Sequence, residues 1–276
     1  MKNISLQGHR MPALGFGTWK LYGDEAAQSV DFAIRNGYTH IDTAQIYENE
    51  AEVGQGIKNS GASRDSLFVT TKVWRSNFAE DRVLESVDES LKKLQMDYVD
   101  LLLVHWPFPE TPVEKLVEGV VKALEAGKAK RIGVSNFTVA QMEEAVRVSN
   151  GRIACNQVEY HPYLSQKPVL DFARKSGIVV TAYSPIARGK AVKDPVLQEI
   201  GGKYGKNAGQ VALRWLVQQD GVAAIPKSAT KENIKANIDI FDFELRVDDM
   251  RRIHELASAN DRQVDPDFAP KWDKAA

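Results

Sequence analysis

A chain of 276 residues can hold one large α/β domain or several small ones, and α/β barrels commonly run at about 250 residues as one unit. With 36 basic and 37 acidic residues the formal net charge is -1, which removes any electrostatic reason to expect a nucleic acid or a membrane surface as partner. A single cysteine, Cys155, excludes an intramolecular disulfide and suits a reducing cytoplasm, and no stretch reads as a secretory core or a membrane span.

The opening stretch, 3–12, carries a Gln7-Gly8 turn between short extended pieces and predicts a hairpin plugging one end of a barrel. Strand-like runs, β-branched or leucine-rich, follow at 14–17, 39–41, 67–71, 98–104, 131–134, 154–158, 178–182 and 222–225. Helix-period segments alternate with them, at 24–36, 80–94, 112–125, 139–148, 167–175 and 210–219. Gly37, Gly127 and Gly177 each stand just before the next strand, where a helix leaves through a left-handed residue. The runs 100–104 and 177–180 are continuously apolar, as strands buried on both faces are. Segments 195–204 and 247–258 exceed the eight-unit count and predict two extra helices, the second after a helix at 231–238. The pattern predicts an α/β fold: a (β/α)8 TIM barrel with an N-terminal β-hairpin and two extra helices, residues 1–276 forming one domain.

Four polar residues interrupt or follow the apolar runs: Asp42, Tyr47, Lys72 and His105. An acid, a phenol, an amine and an imidazole can move protons, and a parallel barrel gathers strand-end residues on one face. A tyrosine with an ordinary pKa of about 10 is a weak acid at neutral pH. A neighbouring ammonium would lower that pKa, and a carboxylate paired with the ammonium would keep it charged and oriented. His105 could then bond a substrate oxygen or tune the tyrosine. Taken singly, each residue is as easily structural; their coincidence at three strand ends points to chemistry. The five histidines show neither His-x-His nor His-Glu-x-x-His spacing, so no metal site is expected, and there is no Gly-x-Ser-x-Gly elbow. A two-carboxylate glycosidase stays open on composition alone.

The segment Gly37-Tyr-Thr-His-Ile-Asp-Thr-Ala-Gln-Ile-Tyr-Glu-Asn-Glu50 closely resembles the signature of the aldo-keto reductases. Gly15-Phe-Gly-Thr-Trp19, Leu102-Leu-Val-His-Trp-Pro107, Ile132-Gly-Val-Ser-Asn-Phe137, Asn156-Gln-Val-Glu-Tyr-His-Pro162, Ala182-Tyr-Ser-Pro185 and Ile225-Pro-Lys-Ser228 are similar to that family too, in its order. Length and signatures look most like its small bacterial members, including the 2,5-diketogluconate reductases. The resemblance implies NAD(P)H-dependent reduction of aldehydes or ketones, including α-diketones, keto sugars or sugar acids, with Tyr47 as general acid in a tetrad with Asp42, Lys72 and His105. The alternative it leaves is a non-catalytic nicotinamide-binding sensor of the same fold. It also implies a cofactor lying across the barrel mouth without a Rossmann domain, and the chain indeed contains no Gly-x-Gly-x-x-Gly fingerprint and no P-loop.

By the same resemblance Ser135, Asn136 and Gln157 hold the nicotinamide carboxamide and Tyr183 stacks on the ring. Gly17, Thr18, Trp19, Asp42, Ser184 and Pro185 line the cofactor cleft. Lys227, Ser228, Ala229, Thr230, Asn233 and Asn237 surround the adenosine 2′-phosphate; there Thr230 can cap a helix whose first-turn amides face an anion. Asn233 stands where an arginine is usual and Ala236 where a glutamate is common. Losing the guanidinium implies NADPH as cofactor with a weakened preference over NADH.

Trp19, Trp74 and Trp106, with Phe108, follow strands and can wall an apolar substrate site that also includes Tyr47, His105 and Asn136. The short loop 107–112 and short tail 260–276 imply an open pocket. In the tail, Phe268 and Trp272 close over substrate or dock on the barrel. Arg188, Lys190 and Lys193 contact the pyrophosphate or an acidic substrate, or form a solvated basic loop. The expected partner is a small-molecule carbonyl compound met by a cytoplasmic monomer.

Overall fold

The computed structural model describes residues 2–79 and 81–274. At the N-terminus β1 (Asn3–Leu6) pairs antiparallel with β2 (His9–Pro12), and Gln7 and Gly8 turn the chain with φ of 48° and 84°. Two successive left-handed residues match the twist of the flanking strands, which is why a Gln-Gly pair serves there.

Eight parallel strands follow, each hydrogen-bonded to the next in sequence order. They are β3 (Phe16–Gly17), β4 (His40–Asp42), β5 (Phe68–Val73), β6 (Val99–Val104), β7 (Ala129–Ser135), β8 (Ile153–Glu159), β9 (Val179–Tyr183) and β10 (Val222–Ala224). The two outer strands meet: Gly15 N donates to Ala224 O at 2.8 Å, Ala224 N to Ala13 O at 2.9 Å and Gly17 N to Pro226 O at 3.0 Å. The sheet thereby closes on itself as a barrel, which leaves no edge to cover. At this seam a side chain in place of Gly17 would stand 2.9 Å from Ile225 O, so the close approach requires glycine.

The strands are wrapped by α1 (Gly23–Arg35), α2 (Glu50–Ser60), α3 (Arg75–Ala79), α4 (Val83–Leu94), α5 (Val113–Glu125), α6 (Val139–Val148), α7 (Lys167–Ser176), α8 (Pro195–Tyr204), α9 (Ala208–Gln218), α10 (Lys231–Ile238) and α11 (Val247–Glu255). Every residue of β5 and of β8 is buried, because the barrel interior and the helical shell cover both faces. Among the described residues no helix is long and apolar enough to cross a membrane.

Apart from shifts of one or two residues at element ends, the structure differs from the sequence-based expectation in its helices. That expectation omits α2, whose Gly54 and Gly56 break the apolar period. The helix predicted from 80 begins at Val83, α3 precedes it, and Glu80 itself lies outside the described residues. The final helix ends at Glu255 and passes into a 3-10 turn, Leu256–Ala259.

Candidate active site

All four proton-transfer residues lie at the C-terminal end of the barrel. Asp42 ends β4, Lys72 is the next-to-last residue of β5, and His105 follows β6 directly. Tyr47 closes a short 3-10 turn after β4, Gln45–Tyr47. Gln45 holds that turn, donating to Ser86 O at 3.1 Å and accepting from Trp74 N at 2.8 Å. Asn49 ties it to the loop after β3 through Thr18 O at 2.8 Å and Leu21 O at 2.9 Å.

Lys72 and Asp42 are completely buried, with Nζ 2.6 Å from Oδ1. Nζ also donates to Thr43 O at 2.7 Å and lies 3.5 Å from Tyr47 Oη. Burial alone would push the ammonium down, but Asp42 and then Tyr47 raise it above its ordinary value, so Lys72 stays charged. Burial pushes the Tyr47 phenol up, and Lys72 pulls it back only in part. The expected lowering of the phenol is therefore corrected: in this site desolvation wins and Tyr47 keeps its proton. Burial, then the charge on Lys72, holds His105 well below the ordinary histidine range as a neutral imidazole. Its ring stands edge-on to Tyr47, centroids 5.7 Å apart, and Nδ1 has no partner among the described residues.

A cavity of about 480 Å³ opens above these groups and runs toward the seam between β3 and β10. Ser135, Asn136, Gln157 and Tyr183 form one network along its floor. Asn136 Nδ2 donates to Ser135 Oγ at 3.0 Å, and its Oδ1 accepts from Tyr183 Oη at 2.8 Å. Gln157 Nε2 donates to Asp42 Oδ2 at 2.8 Å, which joins this network to the proton-transfer group. Asn136 and Ser184 take positive φ, 65° and 48°, conformations that strain a non-glycine residue and gather at ligand sites. The charged residues lining the cavity are Asp42, already paired, and the cations Arg188 and Lys227. A polar amide floor, a half-buried ring and two cations suit an anionic dinucleotide.

Residues 13–258 match the family model described as the aldo/keto reductase family. The chain belongs to the aldo/keto reductase family. It is 43% identical over 267 residues to a methylglyoxal reductase of Salmonella typhimurium, covering 95% of this chain and 99% of that protein. It is 43% identical over 260 residues to a glyoxal reductase of Bacillus subtilis, covering 94% and 93%. A crystal structure described as a candidate 2,5-diketo-D-gluconic acid reductase B superposes with a TM-score of 0.97 at 50% identity, covering 99% of this chain and 98% of that one. A Bombyx mori aldo-keto reductase solved in complex with NADP superposes with a TM-score of 0.89 at 36% identity, covering 98% and 99%. This chain is thus an oxidoreductase that reduces carbonyl groups with NAD(P)H.

The reductase cavity is lined by the three tryptophans, with Trp19 40% exposed at its mouth and Trp106 buried. Gly17, Thr18, Ser184, Pro185 and Lys227 also line it. Phe108 does not: it is buried behind the wall, edge-on to Trp74 at 5.5 Å. Ser228, Ala229, Thr230, Asn233 and Asn237 lie beyond its lining, at the start of α10 and along it. The expected cap by the Thr230 side chain does not form. Thr230 Oγ1 instead lies 3.4 Å from Ser228 Oγ, which also accepts from Thr230 N at 3.1 Å in a local turn.

Arg188 and Gly189 join the wall, whereas Lys190 pairs with Asp261 at 2.7 Å. The tail docks: Phe268 packs edge-on against Trp106 at 5.5 Å and Trp74 at 6.1 Å, and Trp272 lies 6.0 Å from Trp106. The sequence reading misses Ile46, Ile186, Ile225 and Val264 in the lining. Ile46 and Ile225 sit inside the motifs 37–50 and 225–228, which could mark them; Val264 lies in an irregular tail with no periodicity to mark it.

Proposed function

We propose that this reductase converts small α-dicarbonyls and aldehydes to alcohols with NADPH, and that it accepts NADH with modest discrimination, acting as a cytoplasmic monomer built from one domain. The observation that carries this reading is the contact chain Asp42 to Lys72 to Tyr47, at 2.6 and 3.5 Å, opening onto an aromatic-walled cavity with an amide floor. The chemistry a reduced nicotinamide supplies there is hydride delivery to a carbonyl carbon. Ser135, Asn136 and Gln157 would hold its carboxamide, Tyr183 would lie against its ring, and Lys227 with the first amides of α10 would meet the 2′-phosphate.

Tyr47, protonated in the resting site, gives its proton to the carbonyl oxygen. Lys72 stabilises the phenolate left behind, and Asp42 holds the ammonium in place. Neutral His105 offers an N–H to the same oxygen and orients it. Trp19, Trp74, Trp106 and Ile46 exclude water and fit a flat carbonyl. The relatives that act on methylglyoxal and glyoxal support a small dicarbonyl substrate. A lost tetrad residue or a partner-binding extension would favour a non-catalytic sensor; here all four tetrad side chains form one cluster.

Asn233 is exposed on α10, where it offers no permanent charge to a phosphate. Steady-state kinetics with methylglyoxal should therefore show NADPH preferred over NADH by about tenfold or less, with Asn233→Arg widening the gap by about another tenfold, the worth of one charge-assisted bond. Strict NADPH dependence of the unaltered protein would contradict the role given to Asn233, and no turnover with either cofactor would contradict the reductase reading.

A further inference from the structure

Glu159 ends β8 two residues after Gln157, on the same face of the strand, and is completely enclosed. A buried carboxylate persists only where donors surround it. Two of its donors come from the far end of the chain: Oε1 accepts from Gln263 N at 2.6 Å and Oε2 from Val264 N at 2.9 Å. The third is His161 Nε2, 2.9 Å from Oε1. His161 Nδ1 accepts from Tyr163 N at 3.3 Å, so the imidazole proton lies on Nε2 and points at the carboxylate.

The tail has other tethers: Asp261 N donates to Tyr163 O at 2.9 Å, Phe268 and Trp272 pack on Trp106, and two further side-chain bonds are exposed. Lys190 with Asp261, at 2.7 Å, has side chains 46% and 32% exposed, and such pairs contribute little. Asp273 Oδ2 accepts from Val139 N at 2.9 Å on the outer surface. The Glu159 bonds run from half-buried amides to a fully enclosed carboxylate and are charge-assisted, hence stronger than the exposed pairs. They also act where it matters, because Val264 lines the cavity.

We propose that Glu159 is a positioning residue: by holding the Gln263 and Val264 amides it fixes the C-terminal tail as one wall of the substrate pocket, and so sets which carbonyl compounds fit. The specificity part of this proposal rests on the reductase reading; the latch does not. An amide at position 159 would turn a donor toward one of the two tail amides, which frees the wall without emptying the core.

Two measurements on the full chain test it. Hydrogen exchange should show Gln263 and Val264 losing protection in Glu159→Gln while the barrel strands keep theirs. In kinetics with NADPH, Glu159→Gln and Val264→Ala should each shift the kcat/KM ratio of a bulky aromatic aldehyde to methylglyoxal by about tenfold toward the bulky substrate, through KM and not kcat. If Glu159→Gln does not fold, Glu159→Asp, which keeps the charge but retracts it by one methylene, takes its place. Unchanged protection of the tail amides overturns the proposal, and so does lost protection with an unchanged substrate ratio. If the unaltered protein reduces no carbonyl compound, the reductase reading fails and the exchange result alone decides the latch.

Discussion

At the residue scale, the Lys72–Asp42 pair carries a burden that stability alone does not explain. Removing both charges from water costs several kcal/mol each, and a buried pair returns that only with near-ideal geometry. Here the geometry is met, and its product is an ammonium fixed 3.5 Å from Tyr47 Oη. The same burial silences two histidines. His40, completely buried, is pushed down to about 4, and His105 is held well below the ordinary 6.5. Both pKa values are lower folded than unfolded, so the unfolded chain binds more protons and stability falls as the pH drops below about 6.5, for His40 by about 1.4 kcal/mol per pH unit down to about 4, with His105 acting in the same direction. Glu50, raised by burial, works in the opposite sense. Urea midpoints should therefore hold above pH 7 and decline on acidification, with His40→Gln flattening the decline; an identical slope in that variant would contradict the assignment. The Asp42, Lys72 and His105 positions are legible in sequence because they interrupt or follow apolar runs; Ser135, Asn136, Gln157 and Tyr183 are legible only through the family resemblance. The contacts of Glu159 with Gln263 and Val264 are legible in neither way, since they join positions 104 or more residues apart in the chain.

At the element scale, α2 shows why the reading along the chain has a gap. Gly54 and Gly56 look like breaks in a helical pattern, yet in the folded protein they are contact points. A Cβ at Gly54 would stand 2.7 Å from the backbone of Leu94, and one at Gly56 would stand 2.5 Å from Ala27 O. The helix lies so close to α1 and α4 that only glycine fits, and tertiary packing overrides propensity. Gly54→Ala gains at most about 1 kcal/mol of helix propensity but forces a backbone shift that costs more, for a net loss of about 2 kcal/mol and a drop in Tm of about 4 °C by calorimetry. A variant as stable as the parent would show that α2 sits farther from α4 than described. The α10 entry fails in another way: Thr230 has the composition of a cap, but its Oγ1 lies 3.4 Å from Ser228 Oγ, two residues before it, and caps no amide of the first turn.

At the scale of the whole molecule, function depends on closure. Asp42, Lys72, His105, Asn136, Gln157 and Tyr183 come from six different segments, and a closed parallel barrel gathers all of them at one end, with Lys72 beneath the cavity floor. The alternation of apolar runs and helical periods reveals that architecture, because it repeats; the tail and its latch occur once and leave no period to read. On the proposed reading the barrel assembles a cofactor cradle and a separate proton donor, Tyr47. The measurement that tests it most directly is Tyr47→Phe with methylglyoxal turnover and NADPH fluorescence titration run on the same preparation. We expect kcat to fall by about a hundredfold or more while the NADPH Kd stays within about twofold. Turnover at the parent rate with unchanged NADPH affinity would contradict it.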